Sequence, residues 1–507
     1  MEEKKEMPLG TERPKLSANA YPMPENTWFP AEKRELVFGL LSIVSGLALS
    51  NCMLYYGLNL GFALAAVFSI ACASIYLLIS GQKPTFYSGT LLVLSLVIAL
   101  GFARSNDGFV KFIMVQFLFL SVNLGLCLTA RQNRREAGSF GSIWDAFGTF
   151  FGRGLGKMSL SAQGLKQAFR CSGSAGQKGS AFLLGLVICI PVLAVVIPLL
   201  IGADAAFSGL MDLLPEFEFG EFLTTITVGG FTAFWLYTRG TALVYDENKS
   251  LCDKSKKGMS AITVNTVFCG VAVVYVAYLV SQMAYFFGGF AGILPQGFST
   301  AEYARRGFFE MAVLSGFNLG LIALGLRLIK AEVTPALTKV LCLFIGLMTL
   351  LLIATASAKM FFYIDSYGLT TLRVLTQIIM LFLAVTTVVA LVWMFVPRLP
   401  YMKVVLLAAL VISAVTFWMD VDTVVANYNV DAYLSGKLET VDLSYLYYDI
   451  GPEAVDAIDR LAAEAKDPSV QRSARGFAKQ NRERYAYSYD LRQWNLVLHR
   501  ANRAPDR

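Results

Sequence analysis

Histidine is almost absent from this chain: the single one, His499, stands close to the last residue of the sequence. Zinc sites of the HExxH type, haem ligation by a histidine pair and catalytic triads built on histidine are therefore excluded, because the side chains they need do not exist. From this shortage the sequence predicts no metal site and no cofactor.

Cysteine is present but forms no site pattern. None of the cysteines has metal-ligand spacing, and most fall inside apolar runs, where cysteine behaves as a small hydrophobic residue. A disulfide framework is excluded for the same reason. The eight cysteines are Cys52, Cys72, Cys127, Cys171, Cys189, Cys252, Cys269 and Cys342.

Charged residues are scarce. They make up 16% of the 507 residues, against about 25% in soluble globular proteins. Apolar residues reach 56%, and the mean hydropathy is +0.56. This composition excludes a disordered, fibrous or soluble protein and indicates a chain that crosses a membrane many times.

The apolar residues form eleven runs long enough for membrane-spanning helices, each of which needs about 20 mostly apolar residues. We predict an all-α fold: a polytopic transmembrane helical bundle with a small helical C-terminal extramembrane region. The runs lie near residues 36–54, 60–80, 87–103, 110–130, 181–201, 222–243, 260–284, 307–329, 338–358, 371–396 and 402–420.

The organisation follows from these runs. We predict a polar cytoplasmic N-terminal segment (1–35), four spans (36–130), a basic cytoplasmic loop (131–180), seven further spans (181–420) and a helical extracytoplasmic tail (421–507).

The orientation is predicted from lysine and arginine in the loops, which favour the cytoplasmic side. The loop 131–180 is basic, the next loop (202–221) has five acidic and no basic residues, and the loop 244–258 is basic again. This alternation favours a cytoplasmic N-terminus, and an odd number of spans then places the tail outside.

Two segments outside the spans have helical patterns. In GSIWDAFGTFFGRGLGKM, aromatic residues from Trp144 to Phe151 recur at helical spacing beside Arg153 and Lys157, which favours a helix lying in the cytoplasmic membrane interface. The alternative is a cytoplasmic helix packed on the protein's own loops.

In the tail, Gly451-Pro452 and Asp467-Pro468 predict helix starts. We expect the tail to be a structural cap, with a partner-binding module as the alternative.

Ionisable residues at membrane depth are costly and therefore become functional candidates. The first five spans have essentially none at their centres, which argues against a proton relay there. Two charged clusters occur in the second half of the chain. In STAEYARRGFFEM, charges of alternating sign lie four residues apart, and in KMFFYIDSYGLTTLR, aromatic and charged residues surround a glycine. The candidate binding residues are Glu302, Arg306, Glu310, Tyr363, Asp365, Tyr367 and Arg373.

Two interpretations of these clusters remain open. One is an ion network that anchors helix ends at the membrane interface, and the other is an external polar pocket for a ligand or lipid head group. Under the second interpretation, the pairs Arg306–Glu310 and Asp365–Arg373 converge on one site. We assign no catalytic residue.

The same strings carry a family resemblance. AEYARRGFFE and KMFFYIDSYGLTTLR, with the later string RQWNLVLHRAN, resemble the bacterial multi-pass membrane family catalogued as domain of unknown function 4173, over approximately residues 180–500. The resemblance implies a bacterial cell-membrane protein without an established activity, cofactor or catalytic residue.

The function predicted from these features is transport or an accessory, sensing role in a bacterial plasma membrane. The alternative is a membrane transferase that acts on a lipid-linked substrate at the outer leaflet. The expected partners are the lipid bilayer and a membrane protein bound through residues 421–507 or through the basic loop. No nucleic-acid partner is expected.

Overall fold

The computed structural model describes residues 33–133, 135, 139–159, 161–162, 196, 199–200, 219–245, 259–290, 308–329, 335–396, 398–486 and 490–503. The helices are α1 (Lys33–Asn51), α2 (Leu60–Ile79), α3 (Phe86–Gly101), α4 (Gly108–Thr129), α5 (Phe140–Phe147), α6 (Phe219–Tyr245), α7 (Ala261–Phe290), α8 (Phe308–Leu328), α9 (Ala336–Tyr367), α10 (Thr371–Phe395), α11 (Tyr401–Met419), α12 (Val421–Leu434), α13 (Val455–Glu464), α14 (Pro468–Tyr485) and α15 (Leu496–Arg503).

The all-α prediction is confirmed. Eight helices among the described residues (α1, α2, α4 and α7 to α11) are long and apolar enough to cross a membrane, and α3 is a shorter apolar helix. The helix α6 coincides with the sixth predicted span, and the fifth, 181–201, lies outside the described residues except for residues 196, 199 and 200. The chain is a multi-pass membrane protein.

Consecutive spanning helices run in opposite directions, so the contacts at helix ends show which end of the bundle the tail occupies. Arg34, at the start of α1, hydrogen-bonds Tyr245 at the end of α6. At the opposite end, the backbone of the tail bonds the bundle twice: the N–H of Leu60 donates to the carbonyl of Trp494, and the N–H of Leu496 donates to the carbonyl of Ala103. The tail therefore packs on the end of the bundle that is opposite Arg34.

The helices α1 and α6 are in backbone contact. A Cβ atom added at Gly46 would lie 2.5 Å from both the carbonyl oxygen of Gly229 and the amide nitrogen of Ala233. Small residues at such positions let two membrane helices approach closely, because no side chain holds the backbones apart. This crossing places α6 against α1, and Arg239 of α6 lies among residues of α1, α2 and α4.

The helices α7, α8 and α9 are joined by buried hydrogen bonds. The amide of Asn318 in α8 donates to the hydroxyl of Tyr275 in α7 at 2.5 Å and to the hydroxyl of Thr349 in α9 at 2.9 Å. Cys342 is fully buried in the apolar core beside this contact. Cys52, Cys72 and Cys127 are buried as well, as their apolar surroundings predict, whereas Cys269 is exposed.

The tail forms its own helical core. Val425, Leu446, Ile458 and Ala474 are fully buried there. The helix α14 begins with Pro468 in its first turn, and the Asp467 carboxylate accepts a hydrogen bond from the backbone N–H of Ser469 at 2.8 Å, as the sequence predicts. We call residues 421–486 and 490–503 the cap.

The aromatic segment of the basic loop has two contrasting sides. It consists of α5 followed by turns through Gly156. The Phe150 ring packs on Trp235 of α6 and Phe119 of α4, with ring centroids 4.0 and 4.4 Å apart. Trp144 and Phe151 are exposed. The segment therefore packs on the protein's own helices α4 and α6 and presents apolar side chains outward. Its placement in the membrane interface stays a prediction.

Candidate functional site

The residues of the first predicted cluster are only partly described. Glu302 and Arg306 lie outside the described residues. Glu310 is exposed in the first turn of α8. Its neighbour Met311 accepts a contact from the hydroxyl of Thr355 in α9, with 3.9 Å between oxygen and sulfur. The start of α8 thus lies against α9, about three turns before the end of that helix.

The second cluster closes the end of α9. The Arg373 guanidinium lies 4.2 Å from the centroid of the Tyr363 ring. It also donates hydrogen bonds to the carbonyl of Tyr367, at 3.2 Å, and to that of Gly368. A cation at the last carbonyls of a helix is favourable because those groups have no partner within the helix. Arg373 therefore acts as the C-terminal cap of α9.

Asp365 has a different partner from the one that its sequence position suggested. Its carboxylate forms an ion pair with Lys437 of the cap, at 2.5 Å, and both side chains are about half exposed. Among the described residues, no contact joins Asp365 to Arg373, and none joins Glu310 to either of them. Convergence of the two clusters on one site stays a prediction, since Arg306 is outside the described residues.

Sequence reasoning missed a buried charged cluster where the cap meets the bundle. It consists of Asp107, Lys111, Asp420, Asp422 and Glu453, and we call it the junction cluster. All of them except Asp107, which is half-buried, are at most 6% exposed. Buried charges require partners, so the contacts of each group define what the cluster can do.

The bundle supplies Asp107 and Lys111, one helical turn apart. The Asp107 carboxylate caps α4 and accepts hydrogen bonds from the backbone N–H groups of Phe109 and Val110, at 2.7 and 3.2 Å. The Lys111 ammonium donates to the side-chain oxygen of Asn59 at 2.8 Å. Lys111 thus ties α4 to the start of α2.

Asp420 and Asp422 stand where α11 passes into α12. Asp420 has a left-handed backbone conformation, with φ 57° and ψ 76°, and accepts a hydrogen bond from the Thr423 hydroxyl at 2.8 Å. Such a conformation is uncommon for a residue other than glycine and costs about 1 kcal/mol or more. The Asp422 carboxylate accepts a hydrogen bond from the hydroxyl of Thr371, the first residue of α10.

Glu453 is the second carboxyl that the cap adds to the cluster, besides Asp422. It accepts a hydrogen bond from the backbone N–H of Asn106, in the connection between α3 and α4, at 3.1 Å. The glutamate stands in a single 3-10 turn that begins at Gly451, whose φ of +74° favours glycine. This turn points a cap carboxyl at the bundle.

The burial of the cluster changes its protonation. Burial raises the pKa of Glu453 to about 8, together with the negative charges of Asp420 and Asp422. It likewise raises the pKa of Asp422 to about 7, with Asp107 and Asp420 contributing. Burial also raises the pKa of Asp420, although the hydrogen bond from Thr423 and the positive charge of Arg104 lower it. The cluster therefore holds protons at neutral pH that exposed carboxyls would have lost.

Two further residues attach the cap to the bundle. The fully buried Asn495 donates to the carbonyl of Ser105 at 2.7 Å, and its side-chain oxygen accepts from the N–H of Val497 at 3.0 Å. The Arg492 guanidinium lies 3.7 Å from the Tyr56 ring centroid and donates to the side-chain oxygen of Asn51 at 3.0 Å. The junction is thus a specific interface.

The sequence contained weak signals for the junction cluster. Lys111 interrupts an apolar run four residues after Asp107, and Asp420-Val421-Asp422 directly follows another run. Nothing in the spacing, however, connects them with Glu453. Within the described part of the chain, no group of histidine, cysteine and carboxyl side chains is arranged to hold a metal ion.

Comparison with known families gives one match. The model of the family described as "Domain of unknown function (DUF4153)" matches residues 43–461, and the chain belongs to this family. The resemblance drawn from the sequence therefore named a different number, 4173, and placed the start of the similarity too late, although the status of a domain of unknown function is the same. No curated protein and no solved structure matches the chain.

Proposed function

We propose that this member of the DUF4153 family is a non-catalytic membrane sensor of proton concentration, in which the junction cluster controls how the cap docks on the bundle. One observation carries the proposal: the buried Glu453 of the cap accepts its hydrogen bond from the Asn106 backbone beside three more carboxyls. A single deprotonation there changes the charge of an interface between two structural units.

The direction of the response follows from the raised pKa values. A carboxyl with a raised pKa binds its proton more tightly in the docked state than when it is exposed to water. Its stabilising contribution is complete below the ordinary carboxyl pKa and is lost as the pH rises through about 7 for Asp422 and about 8 for Glu453. The loss approaches about 1.4 kcal/mol per pH unit for each carboxyl that titrates.

The charges around the cluster favour this response. Lys111 lies within electrostatic reach of Glu453 and Asp107, and Arg104 and Arg500 act on Asp420 from outside the cluster. Full ionisation of the four carboxyls leaves the cluster with more negative than positive charges. The repulsion among them loosens the turn of the cap that carries Glu453. Alkaline conditions therefore release the cap, and acidic to neutral conditions hold it in place.

The proposed location is a bacterial plasma membrane, with the N-terminus in the cytoplasm and the cap outside. The basic, acidic and basic loops support this orientation, and so does the position of the cap at the end opposite Arg34. A membrane-protein partner that recognises the docked cap would convert its position into a signal, and the exposed Tyr448 and Leu491 offer apolar contacts for it.

The test is hydrogen exchange of the cap amides in the purified full chain between pH 6 and pH 9. In the wild type, protection should fall through pH 7 to 8. Glu453→Gln keeps an oxygen for the Asn106 N–H but carries no charge, so its cap should stay protected to higher pH. Comparing the variant with the wild type at each pH removes the intrinsic pH dependence of exchange.

The matched control is Glu464→Gln, which removes an exposed carboxyl from the same cap. Its protection should follow the wild type at every pH. Protection that does not change with pH in the wild type, or that falls equally in Glu453→Gln, would contradict proton sensing at the junction.

Transport is the second candidate, because a buried acidic cluster in a membrane protein is also typical of ion pathways. Liposomes that enclose a pH-sensitive dye separate the two functions. A sensor should leave the imposed pH gradient intact, whereas a proton-coupled transporter should dissipate it. The transferase alternative needs Glu310 and Asp365 at one site, and the ion pair between Asp365 and Lys437 does not favour it.

A further inference from the structure

Arg239 is a buried cation, two of whose nitrogen atoms have no hydrogen-bond acceptor within the described residues. It lies in α6, six residues after Ala233 of the Gly46 crossing, and is 5% exposed. Its Nε and Nη2 atoms make no hydrogen bond, and no ion pair with Arg239 occurs in the described part of the protein. The guanidinium instead lies 5.2 Å from the centroid of the Phe150 ring.

Burying a guanidinium in this way is unfavourable unless an acceptor or an opposite charge pairs with it. A guanidinium keeps its charge at neutral pH and presents five N–H donors. Inside a membrane bundle, a cation is tolerated mainly when it is paired or faces a polar cavity. The Phe150 ring offsets part of the charge through a cation–π contact, but it satisfies none of the N–H donors with an acceptor atom.

A cavity adjoins this arginine. It has a volume of about 30 Å³ and lies between α1, α2, α4 and α6. Arg239 lines it together with three serines, Ser42, Ser45 and Ser69, while the remaining walls are mostly apolar. A cavity of this size accommodates one small ion or one or two water molecules, since about 10–15 Å³ suffices for a water.

One serine is available as a second donor. The hydroxyls of Ser42 and Ser69 donate to backbone carbonyls of their own helices, at 2.7 Å each. Ser45 lines the same cavity and is 2% exposed. Two buried donor atoms of Arg239 without an acceptor and the Ser45 hydroxyl therefore belong to the lining of one small cavity, and no carboxylate is among its lining residues.

We propose that this cavity binds a small monovalent anion of halide size, held by the Nε and Nη2 donors of Arg239 and by the hydroxyl of Ser45. The lining has donors and a positive charge but no negative charge, which selects an anion over a cation. The volume suits chloride or bromide. This inference is independent of the junction cluster, which lies at the cap end of the bundle.

The primary test is equilibrium binding of radioactive chloride to the wild-type chain in dodecyl maltoside, a detergent without phosphate or charge. Saturable binding of one chloride per chain is expected. The melting temperature should rise to a plateau with chloride or bromide, and not with gluconate at equal ionic strength, because an anion that binds only the folded state stabilises it. Absence of saturable binding in the wild type would mean that water alone fills the cavity, and would overturn the proposal.

Variants then locate the site. Arg239→Gln should abolish both chloride binding and the effect of halide on the melting temperature, and Ser45→Ala should weaken binding several-fold. Arg327→Gln is the matched control, because it removes an exposed arginine near the end of another spanning helix, α8. Unchanged binding in Ser45→Ala together with equal loss in Arg327→Gln would place the anion elsewhere and contradict the assignment, even if Arg239→Gln failed to fold.

Discussion

The buried amide of Asn495 offers a direct test of how the cap is held on the bundle. Replacing it with alanine removes the hydrogen bond that the amide donates to the carbonyl of Ser105. It also removes the N-cap of α15, since the Asn495 side-chain oxygen accepts the N–H of Val497 at 3.0 Å. Loss of a helix N-cap costs about 1 kcal/mol, and a buried carbonyl left without its donor costs about 1–2 kcal/mol. We expect Asn495→Ala to lower the free energy of cap opening by about 2–3 kcal/mol.

Hydrogen exchange measures this change directly. If the cap opens as a unit, amides of α14 and α15 should exchange roughly 30- to 150-fold faster in Asn495→Ala, because each 1.4 kcal/mol corresponds to a factor of about ten. The amides of α2 and α4 should keep their rates. Gln480→Ala, which truncates an exposed amide on α14, should leave all rates within a factor of about two.

Two outcomes would refute this reasoning. Equal rates in Asn495→Ala and Gln480→Ala would show that the Ser105 contact does not hold the cap. Acceleration of the bundle amides to the same extent as the cap amides would show that the cap and the bundle open together, and that the junction is not a separate unit.

Three further predictions concern packing and topology. Gly46→Ala should reduce the melting temperature strongly, because the new Cβ would meet the α6 backbone, whereas Gly230→Ala, with open space at its Cβ position, should not. Gly368→Ala should lower the melting temperature more than Gly436→Ala. Both glycines have a positive φ, +76° and +79°, but only at Gly368 would the added Cβ lie 2.7 Å from the Asn429 side-chain oxygen. In a cysteine-free background, Ser473→Cys should react with a membrane-impermeant reagent on intact cells and Lys83→Cys should not, and the opposite pattern would invert the proposed orientation.

Several features could be predicted from the sequence because they depend on local composition. Each apolar run carries its own transfer free energy into the bilayer, so helix positions such as α4 and α10 follow from the runs themselves. The start of α14 followed from Asp467-Pro468, since a helix cap is formed by residues two or three positions apart. Burial of Cys342 followed from its apolar neighbours.

The partners of the candidate site residues could not be predicted from local composition. Asp365 and Arg373 lie two helical turns apart only if the helix continues, but α9 ends at Tyr367 and the chain turns at Gly368, with φ +76°. The turn places Arg373 on the end of α9, where it donates to backbone carbonyls, and leaves Asp365 facing Lys437 of the cap. The pairing therefore depended on a turn and on the docking of the cap.

The sequence by itself determined that this chain is a multi-pass, all-α membrane protein, because partition into a bilayer depends on runs of about 20 neighbouring residues. Only the tertiary structure decided which charges are buried together. Glu453 meets Asn106 across more than three hundred residues, and Arg239 lines a cavity between four helices, with its Nε and Nη2 lacking an acceptor in the described part of the chain. The physical reason is that an isolated ionisable residue has the same sequence signature whether it faces water or is buried, and its surroundings are decided by helices that pack from distant parts of the chain.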